Sequence, residues 1–566
     1  MEANKRRLIL LAIAVGVAAV YFVGTQYFGG SQSTTAGAPA EAPQAAQQPA
    51  QQLAQQLAQQ LAQQPAAPGT GGTSPAGDPR ERQARRRTAT IRTGSYVATI
   101  DNLSGGLSDY RILGDARFAD ARVVSTWSER YAPLRITVPG VEIPADAVWD
   151  LEQVSPTEVR LSWEGGGVRV TRKLEAGSGP YQIWSTVRVE NVATAPKRLR
   201  LEVATSHFVR AEDESGGFFA ARSPAISQGT CVYDDETVRK DGDDLQEAPH
   251  GYAGQVHFSA IESVYFVNAL ASHGAVQARR CALNASAAVD RRTDTHHEGT
   301  VFEARLVYPA TTLDPGASQV WQSLAYLGPK EPNALNLAGH RLPEVVDLGF
   351  FALIARQLAR LLGLIHQYVG SWGLAIILLT LLVRLVLSPL TARSFQSAAR
   401  MRQLKPELDR INEMYSEDRE KKSAAMMELY RKHKINPFGG CLPQLLQLPI
   451  WWALYTSLST NMELYHVPFA LWPDLSAKDP YYALPIVLGV LMHVQQRLTP
   501  TSMDPAQAKM MMWMMPIMIT VFMLFLPSGL CIYMLTNSAL GIAQQKLIEW
   551  QINRKNPPAA EVEPAG

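Results

Sequence analysis

Trp372-Gly373-Leu374-Ala375-Ile376-Ile377-Leu378-Leu379-Thr380-Leu381-Leu382-Val383-Arg384-Leu385-Val386-Leu387-Ser388-Pro389-Leu390-Thr391 is an apolar run with one charge in it. As a helix rising about 1.5 Å per residue it is long enough to cross a hydrocarbon layer of about 30 Å. Arg384 then lies roughly 9 Å short of the end at Leu390. Snorkelling would nearly carry its guanidinium to the surface, but its neighbours do not fit that role. Thr380, Arg384, Ser388 and Thr391 recur at helical spacing and make a polar stripe on one face. A central arginine costs about 2.5–3.5 kcal/mol on insertion scales, so the stripe calls for water or protein beside it.

Working outward, further apolar segments of spanning length stand at 442–462, 482–494, 510–526 and 529–548, the second extending to Leu498 by tilting. Two of them repeat the pattern. Gln444, Gln447, Trp451, Tyr455 and Ser459 share one face, and Tyr533, Thr536, Asn537 and Gln544 share another. Singly, each stripe fits ordinary interhelical hydrogen bonding. Together they point to a polar cavity, and no acidic residue in the apolar segments is placed to neutralise Arg384. An unpaired arginine in a hydrated cavity suits the attraction of an acidic or polar segment of a passing chain. Met510, Met511, Met512, Met514 and Met515 crowd around Trp513, which fits either an adaptable apolar surface or ordinary packing.

Charge sets the expected topology. The stretch 391–440 carries eleven Lys/Arg against seven Asp/Glu and is assigned to the cytoplasm, whereas 471–480 has only Lys478, as an outer loop should. Lys5-Arg6-Arg7 precedes an apolar run reaching Phe28. Ala36-Gly37-Ala38 is a passable cleavage site but lies well beyond that run, and Tyr21, Phe22, Tyr27 and Phe28 suit an aromatic belt, so the run reads as an uncleaved anchor. Residues 29–90, with Leu-Ala-Gln-Gln repeated over 53–64, bury too little apolar surface to fold and form a tether. Beyond them, runs such as 183–190, 199–203 and 301–308 alternate with period two, the pattern of half-buried strands in a large β-sandwich. Over 344–367, Phe351, Ile354, Leu358, Leu361, Leu362 and Ile365 oppose Arg356, Arg360 and Gln367, an amphipathic helix along the outer interface.

The expected layout is a multi-pass α-helical membrane protein with six spans and a large periplasmic β-sandwich. In order, it has an anchor (1–28), a disordered Ala/Gln/Pro linker (29–90), the β-sandwich (91–330), the interfacial helix (344–367) and a span (371–391). A cytoplasmic helical hairpin (392–440), a span (441–463), a periplasmic loop (464–480), a span (481–498) and a cytoplasmic loop (499–509) follow. Two spans (510–527 and 528–549) and a cytoplasmic tail (550–566) complete it, with both termini inside.

Composition excludes several classes. The 566 residues hold 53 Lys+Arg and 51 Asp+Glu, a net charge of +2, so no global field marks a nucleic-acid binder and no direct DNA binding is expected. Four cysteines are too few and too scattered for a disulfide scaffold or a CxxC metal site; Cys231 and Cys281, both outside the membrane, stand either as a disulfide or as two buried thiols. No phosphate-binding loop is present, and no cofactor is expected. A solute transporter or channel is the main rival, against which stands the lack of an acidic relay and of a repeated half with broken helices. An anchored carbohydrate enzyme using His207, His250, His257, His296 and His297 is a second; scattered histidines in a β-domain are usually surface or satisfied core residues.

Pro437-Phe438-Gly439-Gly440-Cys441-Leu442-Pro443, Gln447 with Pro449, Phe469-Ala470-Leu471-Trp472-Pro473-Asp474-Leu475, Asp479-Pro480-Tyr481-Tyr482 and Phe525-Leu526-Pro527-Ser528-Gly529-Leu530 together resemble the YidC/Oxa/Alb family of membrane protein insertases. Arg384, followed by Ser388-Pro389-Leu390-Thr391, stands where that family carries its groove arginine. The resemblance is strong over 344–553 and rests on layout alone over 29–326. It implies a five-helix insertase core around a hydrophilic groove open to the cytoplasm and lipid, with Thr380, Gln447, Trp451 and Tyr533 on the groove-facing stripes. It also implies a periplasmic β-supersandwich, residence in the bacterial inner membrane, and passage of a nascent membrane protein rather than bond chemistry. The implied partners are nascent membrane proteins, the Sec translocon, membrane lipid, and a ribosome or targeting factor at the hairpin.

Overall fold

The computed structural model describes residues 85–118, 126, 129–141, 143–144, 147–211, 228–290, 297–415, 418–433, 442–498 and 505–555. The expected anchor, nearly all of the linker, the first half of the 499–509 loop, the end of the tail and His296 lie outside them.

Alternating burial builds the first unit. Along Gln182–Asn191, Ile183, Ser185, Val187 and Val189 face inward while Trp184, Thr186, Arg188 and Glu190 are more exposed, the period a one-sided strand requires. This strand is central in a nine-stranded antiparallel sheet ordered Glu236–Lys240, Gln228–Tyr233, Val256–Glu262, Phe266–His273, Ser318–Pro329, Gln182–Asn191, Val168–Ala176, Glu158–Gly165 and Asp150–Ser155. A five-stranded sheet (His250–Ala253, Arg280–Asp290, His297–Val307, Glu202–Arg210, Arg135–Thr137) packs over its first half. A three-stranded sheet (Thr88–Arg92, Tyr96–Asp101, Leu107–Ile112) packs over the other. Trp321, Phe258, Phe302, Tyr308 and Tyr326 fill the space between.

Two features join the layers. Arg172, fully buried, donates from Nε to Ser185 Oγ (3.1 Å) and from Nη1 to the Gly105 carbonyl (2.8 Å), tying the three-stranded sheet to the nine-stranded one. Cys231 and Cys281, left open above, are a disulfide between the nine- and five-stranded sheets.

Two sequence boundaries shift. The first strand begins at Thr88, inside the expected linker. The run 199–203 is not one strand: Leu199 pairs with Thr311 in a separate two-stranded ladder, whereas Glu202 pairs with Thr137 and Val307. The chain changes sheets at Arg200-Leu201, and an alternating pattern cannot register a change of partner.

The helices are α1 (Gly242–Glu247), α2 (Pro332–Ala338), α3 (Ala352–Val369), α4 (Trp372–Gln403), α5 (Lys405–Met414), α6 (Arg419–Lys432), α7 (Leu442–Ser459), α8 (Ala483–Leu498), α9 (Pro505–Met523) and α10 (Ser528–Lys555). The amphipathic helix expected from 344 starts eight residues later. Leu342–Val345 is a 3-10 turn whose Leu342 and Val345 belong to the β-sandwich core, and the Asp347 carboxylate accepts from the Gly349 N–H (2.9 Å), turning the chain before α3. Nor does α4 end at Thr391: it runs through Pro389 to Gln403, because the Ala-, Arg- and Gln-containing segment after the apolar run favours helix. Likewise α9 begins inside the expected 499–509 loop and α10 continues past 549. The helices α5 and α6 pack through Leu404, Leu408, Leu429 and Tyr430. Among the described residues, one helical stretch, Trp372–Pro389, is long and apolar enough to cross a membrane by length and composition; Ala483–Leu498 and Met512–Met523 are shorter apolar helices.

A second core, with Leu362, Ile376, Leu379, Leu454, Leu458, Leu488, Leu526 and Leu530, holds α3, α4, α7, α8, α9 and α10 together. The turn after α7 belongs to both cores. Met462 is buried with the β-sandwich and Leu464 with the helices, while the Tyr465 ring lies 4.8 Å from that of Tyr265, 5.9 Å from Phe266 and 6.2 Å from Phe118.

Buried charge gives one stability prediction. Lys330 follows the last strand and pairs with Glu262 (2.5 Å), both buried, while the Thr230 hydroxyl donates to the same carboxylate. Lys330→Ala strands that carboxylate and is expected to cost about 3–5 kcal/mol in urea unfolding followed by tryptophan fluorescence. Lys330→Met with Glu262→Gln should recover most of the loss; equal loss in both variants would mean that the pair's charge is unimportant. The disulfide gives another: it closes a loop spanning 50 residues of sequence, and replacing both cysteines by alanine should lower stability by about 2–4 kcal/mol in the same assay.

Candidate functional site

The helical bundle divides along its length. At one end, the first turns of α4 (Ala375, Ile376, Leu379), the last turns of α7 (Leu454, Leu458) and the start of α10 (Leu530, Cys531, Ile532, Tyr533) are buried against Leu464 and Leu475 of the 460–482 connection. Hydrogen bonds fix that connection over the end. Ser528 donates its hydroxyl to the Asp474 (2.9 Å) and Ala477 (2.6 Å) carbonyls and its N–H to Ala477 (2.7 Å). Asp479 accepts from the N–H of Leu484 (2.7 Å) at the start of α8 and of Tyr481 (2.9 Å). The ring of Phe469 lies on the first turn of α4, where a β-carbon at residue 373 would fall 2.1 Å from its Cγ; only Gly373 allows this approach. The motifs Phe469 to Leu475, Asp479 to Tyr482 and Pro527 to Gly529 therefore form one apolar seal.

Past the seal the facing side chains become polar. Arg384 of α4, half-buried, donates from Nε to Asn537 Oδ1 (2.8 Å), from Nη2 to the Asn537 carbonyl (2.8 Å) and from Nη1 to Gln544 Oε1 (3.5 Å). From α7, Gln447 Nε2 donates to the same Asn537 Oδ1 (2.9 Å). One amide oxygen thus joins three helices. Each of these acceptors is neutral, so among the described residues the charge of Arg384 is solvated without being cancelled. The helices α4 and α10 pack along much of their length, whereas α7 touches both only briefly and leans on α3.

The other expected site residues divide into three kinds. Ser388 is half-buried one turn beyond Arg384, and Trp451 and Tyr455 stand half-buried along α7 with rings 6.1 Å apart. The Trp451 indole N–H is buried without an acceptor among the described residues. Thr380 and Tyr533 are both nearly inaccessible. The Thr380 hydroxyl donates to the Ile376 carbonyl (2.7 Å), which places it in the seal, whereas the Tyr533 side chain hydrogen-bonds with that of Gln447 and lies near Arg384. Helical spacing identifies a shared face but says nothing of depth along the axis. The side chain of Gln444 lies outside the described residues. A residue without any polar signal, Gly541, lies against Arg384; a glycine inside a long helix was the one available clue. On α9, Met510, Trp513, Met514 and Met518 are exposed, whereas Met523 is in the bundle core.

In the β-sandwich, His207, His250, His257 and His297 are spread over four strands, with the ring nitrogens of His250 and His257 against backbone carbonyls of Asp244 (3.3 Å) and Asp234 (3.0 Å). No metal-ligating group of three or more side chains occurs among the described residues.

Residues 364–555 match the family described as 60Kd inner membrane protein, and residues 89–361 match the family described as YidC periplasmic domain. The membrane protein insertase YidC of Citrifermentans bemidjiense is 35% identical over 483 residues, covering 82% of this chain and 85% of that one. That of a Geobacter species is 36% identical over 484 residues with the same two shares. A solved structure of an active YidC insertase with its first transmembrane domain resolved covers 81% of this chain and 91% of its own, at 19% identity and a TM-score of 0.34. Identity at this level, sustained across both the β-sandwich and the helical bundle, means that the chain belongs to the YidC family of membrane protein insertases.

Proposed function

We propose that this inner-membrane protein inserts other membrane proteins through the polar half of its bundle, with Arg384 as the charge that draws in the polar segment to be translocated. The observation that carries this reading is the guanidinium held only by neutral acceptors beyond an apolar seal. A charge so placed keeps its attraction for an incoming carboxylate, while the polar half shortens the stretch of hydrocarbon that segment must cross. Ser388, Gln444, Gln447, Trp451, Tyr455, Tyr533 and Asn537 line the path; Thr380 supports it from the sealed end. The work is passage across a lowered barrier, without bond chemistry.

The proposed topology has six spans and both termini in the cytoplasm. The seal then faces the periplasm with the β-sandwich, the polar half faces the cytoplasm, and α3 lies in the outer interface with Leu353 and Tyr368 exposed beside Arg356 and Arg360. The 392–440 hairpin, with eleven Lys/Arg against seven Asp/Glu, suits contact with a ribosome or targeting factor, and the β-sandwich contact with the Sec translocon. No observation favours a solute transporter or channel.

The test is insertion of a small Sec-independent membrane protein into liposomes containing only this chain. Arg384→Ala should lower insertion of a substrate with an acidic translocated segment about tenfold, equivalent to ~1.4 kcal/mol. A substrate made neutral in that segment should be affected far less; equal effects on both would remove the charge from the mechanism. Asn537→Asp keeps the side-chain shape but supplies a carboxylate against Arg384. It should reproduce the selective loss while leaving the thermal unfolding midpoint no lower than that of the parent chain, and unimpaired insertion would argue against an uncompensated charge.

A further inference from the structure

Gly541 is buried on α10, one turn past Asn537. A β-carbon there would stand 2.9 Å from Arg384 Nη2 and 3.4 Å from Arg384 Cζ, with Gln495 Nε2 at 3.3 Å. These nearest atoms all belong to two polar side chains rather than to the backbone of a neighbouring helix, so close helix packing does not account for the glycine. Helix propensity does not account for it either, since glycine costs about 1 kcal/mol relative to alanine in a helix interior.

The surrounding bonds explain why a small displacement matters. Nε and Nη2 are held by the side chain and carbonyl of a single residue, Asn537, both at 2.8 Å. Moving Nη2 away from a β-carbon at 541 therefore pulls one edge of the guanidinium off its acceptors. Three of the five guanidinium N–H groups are engaged in the observed bonds, leaving two for an incoming acceptor.

We infer that Gly541 is a positioning residue for insertion: its missing side chain is the slot in which the Arg384 guanidinium lies flat against α10, presenting its two remaining donors to a carboxylate of the translocated segment. This rests on the groove function proposed above. It adds that the direction of the charge, as well as its presence, sets the preference for acidic segments.

The test uses the full chain in liposomes, with a single-span substrate carrying an acidic translocated segment and its counterpart with those residues changed to amides. Gly541→Ala should lower insertion of the acidic substrate about threefold and leave the amide substrate unchanged. In an Arg384→Lys background, which lacks the guanidinium, the same substitution should have no further effect. Phenylglyoxal should modify Arg384 about threefold faster in Gly541→Ala than in the parent chain, read by peptide mass spectrometry, a change that a general loss of activity would not produce. Gly541→Ser adds the same β-carbon and serves if the alanine variant accumulates poorly. Equal losses with both substrates, an equal loss in the lysine background, or an unchanged modification rate would overturn the inference. If Arg384→Ala lowers acidic insertion while Gly541→Ala does not, the slot fails and the groove stands; if Arg384→Ala is silent, both fail.

Discussion

A guanidinium placed inside an apolar bundle must find acceptors, and the choice of acceptor decides what the bundle can do. A carboxylate would satisfy Arg384 and cancel its field. Amide and carbonyl oxygens satisfy it and leave the field in place. Asn537 supplies two of these oxygens and Gln544 a third, and because Gln447 binds the same Asn537 side chain, the arrangement fixes three helices around the charge. The buried Arg172 of the β-sandwich is handled in the same way, with a hydroxyl and a carbonyl, but there it is fully enclosed and ties two sheets together. Burial depth separates the two: Arg172 is fully enclosed, whereas Arg384 is only half-buried.

The seal is the counterpart of that charge. A polar half open at both ends would be a conduit, so the apolar end has to be closed by something other than long helices. Closure falls to a short connection pinned by Ser528, Asp474 and Asp479 and completed by an aromatic ring seated on Gly373. Most of these bonds involve backbone groups, which suits a connection punctuated by Asn, Asp, Ser and Pro.

Much of this was legible in the amino-acid order. Period-two alternation over 183–190 gave a one-sided strand, and the stripes through Arg384, Gln447 and Asn537 do converge. Four things were hidden, each for a physical reason. Thr380 shares a face with Arg384 but lies one turn deeper, and periodicity carries no depth. The strand break at Arg200-Leu201 depends on which distant strands offer hydrogen bonds. The continuation of α4 to Gln403 follows from helix propensity, which is indifferent to where an apolar layer would stop. Gly541 was hidden most completely, because its contribution is an absence of atoms.

The turn at Met462, Leu464 and Tyr465 has a further consequence. Residues a few positions apart are divided between the β-sandwich core and the helical core, so neither core has a complete surface without the other. The molecule is riveted rather than hinged at this point. A chain trimmed of its β-sandwich would carry an exposed methionine and tyrosine on the outer rim of the bundle, a sticky edge that must be covered or replaced if the shortened form is to stay dispersed.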